Sequence, residues 1–149
     1  MATVKNARGV KLLIKVGDGA DPEVFTAKCS INAARGIKFS STTNEFPDID
    51  CDDPDAVAWT LREKSGLSAA IDGAGILNTP DVQGFFDWLV DPDSKNCQIV
   101  VDVPSADGGV IFSGAFHCTE FDITGDRGAK METTISLVSD GAVTSVANT

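Results

Sequence analysis

At 149 residues, 42% hydrophobic and 23% charged, the chain has the size and balance of a single domain that buries a core without disulfide or metal staples. Twenty-two acidic against twelve basic residues give a net charge of −10, and no two Lys or Arg are adjacent, which excludes a reader of free DNA or RNA, because phosphate binding needs clustered cations. Fourteen glycines and six prolines suit many short strands joined by turns.

Met1 to Gly9 is polar and aperiodic and reads as an arm. The apolar run that follows is short and broken by lysines, so neither a secretory signal nor a membrane span is expected. Val10–Val16 reads as a first strand, closed by Gly17-Asp18-Gly19. Phe25, Ala27, Cys29 and Ile31 alternate as a second, and Ile37 and Phe39 begin a third. Ser40 to Asp55, SSTTNEFPDIDCDDPD, is rich in turn formers and acids and reads as a long loop. Ala56 to Gly75 reads as a hairpin turning at Ser65-Gly66, with Val57, Trp59, Leu61, Leu67, Ala69 and Ile71 on one face. Its other face, Ala56, Ala58, Ser68 and Ala70, is small and mildly polar, so the hairpin has little apolar bulk of its own and calls for a neighbour.

Asn78-Thr79-Pro80-Asp81 is a helix start, with Thr79 as cap, Pro80 at the first helical position and Asp81 at the positive end of the dipole. Val82, Phe85, Phe86, Leu89 and Val90 form its apolar stripe, and Asp91-Pro92 ends it. Period-two alternation returns at Cys97, Ile99, Val101 and Val103. Val110, Phe112 and Phe116 occupy even positions but Phe121 and Ile123 odd ones, so a bulge or break is expected between Phe116 and Phe121. Met131, Thr133, Ile135 and Leu137 form a late strand, and Ala142–Val146 a short last one.

Sites of chemistry are scarce. Asp48, Asp50 and Asp52 have the one-three-five spacing of a calcium loop, but Asp53 and Trp59 stand where such a loop needs Gly and Glu, so a solvated acidic loop is the reading and no metal is expected. Cys29, Cys51, Cys97 and Cys118 show no C-x-x-C spacing and are expected as free thiols. The single histidine, His117, adjoins Cys118 in a strand, where neighbours point to opposite faces and cannot act as base and nucleophile. No nucleophile elbow, P-loop, zinc-protease or dinucleotide motif occurs. Neither an enzyme nor a cofactor is expected.

The order of elements resembles the major tail tube proteins of long non-contractile-tailed phages and gene transfer agents. The likeness runs through KLLIKVGDG, FTAKCSINAARGIKFSS, TTNEFPDID with AWTLREKSGLSAAIDGAG, TPDVQGFFDWLVD and TTISLVSDGAVTSV. It is strongest at Thr43-Asn44, at the small-residue hairpin ending at Gly75 and at Leu137 to Gly141. The resemblance implies a mainly β fold, a β-sandwich or partial barrel with one flanking α-helix. It implies stacked hexameric rings forming a tail tube in the virion, assembled in the host cytoplasm, with DNA passing through without specific binding. Tape measure, tail terminator and distal tail proteins are implied as partners, and no membrane.

By the same resemblance the arm Met1–Gly9, the loop Ser40–Asp55 and about Gly141–Thr149 grip the adjacent ring. Arg8, Thr43, Asn44, Glu45, Phe46, Asp48, Asp50 and Trp59 are the expected ring contacts. Glu63, Asp72, Asp102 and Glu120, read as lying in strands, are candidate lumen-facing acids. Two alternatives stand beside this reading. One is the tube protein of a type VI secretion or contractile system; the other is a monomeric β-sandwich binding module, which would present exposed aromatics at a loop rim.

Overall fold

Fifteen residues of β3 (Ala34–Asp48) lie antiparallel to β4 (Trp59–Ile76), and this long ribbon forms one side of the sheet. The structure, a computed structural model, describes residues 3–19, 22–28 and 30–148. Before the ribbon come a single 3₁₀ turn at Gly9–Lys11, β1 (Leu12–Gly17) and β2 (Phe25–Ala27). After it come a 3₁₀ turn at Thr79–Asp81, α1 (Val82–Val90), β5 (Lys95–Val101), β6 (Val110–Thr124), β7 (Glu132–Ser139) and β8 (Thr144–Ala147). All strand pairs are antiparallel, in the order β2-β1-β5-β6-β7-β4-β3, and β8 pairs with the first part of β6.

One face of this sheet is apolar in every central strand. Ile14 and Val16 of β1, Ala69 and Ile71 of β4, Cys97 and Ile99 of β5, Phe116 and Cys118 of β6, and Ile135 and Leu137 of β7 join one buried cluster. For these side chains to meet, the sheet must curl around them into a partial barrel, and α1 closes the open side with Phe85 and Trp88. The Trp88 indole N–H donates to the Phe116 carbonyl at 3.3 Å, which satisfies the one polar atom that Trp88 brings into the core. The Lys95 ammonium lies 5.6 Å from its ring centre.

The start of the helix is tied down by a buried polar node. Ser30, fully buried, accepts the Asn78 N–H at 2.9 Å and donates to the Asp81 carboxylate at 3.0 Å, which also accepts from the Asn78 side-chain amide at 3.2 Å. Nearby, Asn32 pairs both its amide groups with the backbone of Ile76. Gly75 is required here, since a Cβ would meet the Ser30 carbonyl and the Asn32 amide at 2.7 Å.

The phase slip in β6 is a bulge. Cys118 pairs with Leu137 and Glu120 with Ser136, so Thr119 is the extra residue, and Phe116 and Phe121 both turn toward the core. Six other expectations need correction. Residues Ser40 to Asp48 are strand, leaving only 49–58 as loop, because partnering by β4 overrides their polar composition. Ser65-Gly66 is no turn: β4 runs straight through it, and the hairpin is β3 with β4. The second strand is only Phe25–Ala27, and its predicted member Cys29 lies outside the described residues. The first strand starts at Leu12, after a 3₁₀ turn that begins within the predicted arm at Gly9. In α1 the buried pair is Phe85 and Trp88, whereas Phe86 and Val90 are exposed, and Thr79 caps nothing with its side chain.

Candidate functional site

Beyond Ala70, β4 loses its pairing with β7, and from there the β3–β4 ribbon runs on alone. Eight residues from Ser41 to Asp48 at about 3.3 Å each carry it about 26 Å past the body of the sheet. A two-stranded ribbon in water is marginal by itself. This one nevertheless shows Phe46, Trp59, Leu61 and Leu67 to solvent, with Ile49 and Val57 in the connecting loop; Trp59 is 85% and Val57 96% exposed.

A second bulge decides which side chains share a face. Thr42 pairs with Gly66 and Thr43 with Lys64, so Ser65 is extra. Its hydroxyl lies 3.1 Å from that of Thr42 and 3.3 Å from the Thr42 carbonyl. Before the bulge, Trp59, Leu61 and Glu63 lie opposite Asp48, Phe46 and Asn44; after it, Ala70 and Asp72 lie opposite Lys38 and Gly36. Alternation therefore puts Trp59, Leu61, Glu63, Ala70 and Asp72 on one face, and Leu67, Ala69 and Ile71 on the other, core-side face. The single apolar face expected from Val57 to Ile71 is thus split in two.

The face turned away from the core is acidic. Register carries it from Asp72 to Ser136, whose hydroxyl donates to the Asp72 carboxylate at 3.0 Å, and on to Glu120. Across β3, β4, β7 and β6 it bears Asp48, Glu63, Asp72, Glu120, Asp122 and Glu132 against Lys38 as its one Lys or Arg. Glu63, Asp72 and Glu120 are thus brought to a common face. Asp102 is not: it follows β5 in a turn, its N–H donating to the Lys11 carbonyl at 2.8 Å. Asp122 and Glu132 also lie on this face: Asp122, like Glu120, takes its side from the Thr119 bulge, whereas Glu132 takes its side from the alternation of β7, opposite to Thr133, Ile135 and Leu137.

Of the expected ring contacts, Thr43, Asn44, Glu45, Phe46, Asp48 and Trp59 all lie on the projecting ribbon, and Asp50 in its connecting loop. Glu45 pairs with Arg62 at 3.0 Å, both exposed. The Asp50 carboxylate accepts the Asp52 N–H at 2.9 Å, a local turn. Arg8 is elsewhere, exposed and extended just before the 3₁₀ turn, its carbonyl accepting the Lys11 N–H. By strand direction, however, Arg8 stands at the same end of the sheet from which the ribbon projects.

Among the described residues no three His, Cys, Asp or Glu side chains converge as a metal site, and no helix is long and apolar enough to cross a membrane. His117 Nε2 lies 3.2 Å from the Asp140 carboxylate, joining β6 to the turn after β7. Burial pushes the Cys97 thiol up to about 12, with Lys95 pulling the other way, and the Cys118 thiol up to about 11, with a hydrogen bond to the Glu120 carbonyl opposing. Both are inert thiols packed as small hydrophobes. Cys51, in the ribbon's connecting loop, is free and exposed.

Comparison with known proteins bears on the fold and the family. The fold is similar to that in the tail of an empty gene transfer agent particle solved with C6 symmetry, at TM-score 0.70 and 24% identity over 95% of this chain and 100% of that one. A native gene transfer agent virion contains a chain similar at TM-score 0.67, with 24% identity and the same coverages. The SPP1 tail tube is similar at TM-score 0.62, with 11% identity over 96% of this chain and 80% of that one. No curated protein matches the sequence. A sequence profile of the family described as phage tail tube protein matches residues 6–145. The protein is, by that match along nearly all its length, a member of the phage tail tube protein family.

Proposed function

We propose that the protein polymerises as stacked hexameric rings into the tail tube of a long-tailed phage or gene transfer agent particle, through which DNA is delivered. The observation that carries this is a pair of unpaired strand edges on opposite sides of β3-β4-β7-β6. Among the described residues the outer edge of β3 has no strand partner over its length. On the other side, pairing of β5 with β6 stops at Phe116, and no other described strand covers that edge of Cys118–Thr124. Successive antiparallel pairing makes β3 run opposite to β6. Copies arranged in a ring with β3 of one beside β6 of the next therefore meet antiparallel at every junction. Such a head-to-tail contact closes, and closure removes both exposed edges.

The gene transfer agent tail to which the fold is similar has C6 symmetry, which supports six copies per ring. Four strands from each of six copies make 24. At about 4.8 Å between strands and a tilt of about 40°, they close into a barrel roughly 45–50 Å across its backbone, wide enough for a DNA duplex. The core and α1 occupy one face of the four strands, so the lumen is lined by the other, with Glu63, Asp72, Glu120, Asp122 and Glu132. A wall of this sign repels phosphate and lets DNA slide. The ribbon and the arm with Arg8 reach the adjacent ring, and the tape measure, terminator and distal tail proteins meet the assembled tube. Negative-stain electron microscopy of the purified chain at high concentration tests this: six-fold rings or hollow tubes support it, and a uniformly monomeric sample at every concentration speaks for a binding module instead.

A further inference from the structure

The two ends of the four-stranded sheet differ in a way that assigns which surfaces meet between rings. β4 and β6 run parallel to one another, so the tip of the ribbon, where β4 begins, and the turn between β6 and β7, where β6 ends, point in opposite directions. When rings stack in register, the tip of one copy is carried toward the β6–β7 turn of a copy in the next ring.

The chemistry of the two ends is complementary. From Lys38 to Arg62 there is no basic residue, while Glu45, Asp48, Asp50, Asp52, Asp53 and Asp55 are all acidic, around exposed Ile49, Val57 and Trp59. At the far end, Arg127 and Lys130 stand exposed on the turn Gly125–Lys130 against Asp126 as its one acid, and none of the described ion pairs uses either cation. Beside them Ile123 and Met131 are 41% and 47% exposed. They share a face with Gly125, where a Cβ would lie 3.5 Å from the Met131 side chain. The turn is built for presentation, since Gly128 adopts φ +89° and lets the chain reverse with both cations on its outside. An apolar centre with a charged rim at one end thus faces an apolar centre with an oppositely charged rim at the other.

We propose that the acidic tip of the ribbon docks on the Arg127–Lys130 turn of a second copy in the adjacent ring, with Val57 and Trp59 against Ile123 and Met131. This rests on the polymer reading above and adds to it the identity of the receiving surface. Because both surfaces belong to one chain, a charge exchange tests the pairing. R127E/K130E should shorten tubes about tenfold or leave isolated rings, as replacing opposite by like charges at a contact does. D52K/D53K should do the same. The chain carrying all four changes should regain tubes near the original length. Cys51 offers an independent readout: with Ala129→Cys, oxidation of assembled material should give a ladder of linked chains that Cys51→Ser abolishes. Original-length tubes from R127E/K130E, no recovery in the four-change chain, or no Cys51-dependent ladder in formed tubes would overturn the docking and leave the ring reading standing. Absence of rings and tubes from the unaltered chain would overturn the ring reading itself.

Discussion

Trp59→Ala separates what the ribbon does for assembly from what it does for folding. Trp59 lies on the projecting stretch of β4 opposite Asp48 and belongs to no part of the buried core. The fold itself should scarcely notice. A substitution at so exposed a position changes stability by about 0.5 kcal/mol or less, or about 1–2 °C in melting temperature for a chain of this size. Assembly should notice strongly. Trp59 is 85% exposed, and seating about 200 Å² of its surface on a neighbour is worth about 5 kcal/mol at about 25 cal/mol/Å². Without the indole that contribution is lost, and the concentration needed for tubes rises by between about three and four orders of magnitude. Melting followed by circular dichroism and tube yield followed by sedimentation separate the two effects. Unchanged tube yield, or a melting temperature lowered by well over 10 °C, would refute the reasoning.

Phe116→Ala removes a fully buried ring at the meeting of β5, β6, β7 and α1 and should lower stability by about 3–5 kcal/mol, read by denaturant unfolding; a loss under about 1 kcal/mol would show that the core closes without it. Cys97 and Cys118 have folded pKa values raised above the ordinary 9.0, so their contribution to stability is complete below pH 9 and falls away as pH rises toward about 12. Replacing Cys97 with Ala should flatten that alkaline loss, measured as unfolding free energy against pH. With a thiol reagent at neutral pH, Cys51 should react at once and Cys97 and Cys118 only on unfolding, as peptide mapping would show. Asp72→Lys with Glu120→Lys should leave tubes intact but slow DNA ejection from particles, and unchanged ejection kinetics would remove these acids from the lumen.

The irregularity at Thr119 was legible because Phe116 and Phe121 are large, both drawn to the core, and out of phase in number; a bulge or a break resolves the mismatch, and the structure has the bulge. The bulge at Ser65 was not. Leu61 and Leu67 are both odd-numbered and both exposed, so nothing in their pattern betrays that they face opposite ways. Ser65-Gly66 mimicked a turn, and the polar run from Ser40 to Asp48 mimicked a loop, because a ribbon exposed on both faces carries no core signal of its own. In α1 the periodicity located the helix, but Phe86 and Val90 looked as buried as Phe85. The Trp88 indole bonded to Phe116 and the Phe85 ring against Phe121 show which side is anchored. The acidic face followed the same division: Asp72 could be read from strand pattern, whereas Asp102 falls in a turn and Glu120 and Asp122 take their side from the bulge.

Electron cryo-microscopy of assembled tubes, carried to a resolution that traces strands, tests ring closure most directly. The expected map shows six copies per ring, β3 of each lying antiparallel beside Cys118–Thr124 of the next, and the Asp72–Ser136–Glu120 row facing the channel. A ring joined through β2 or β8, or a channel lined by the face that holds Ile71 and Phe116, would contradict it.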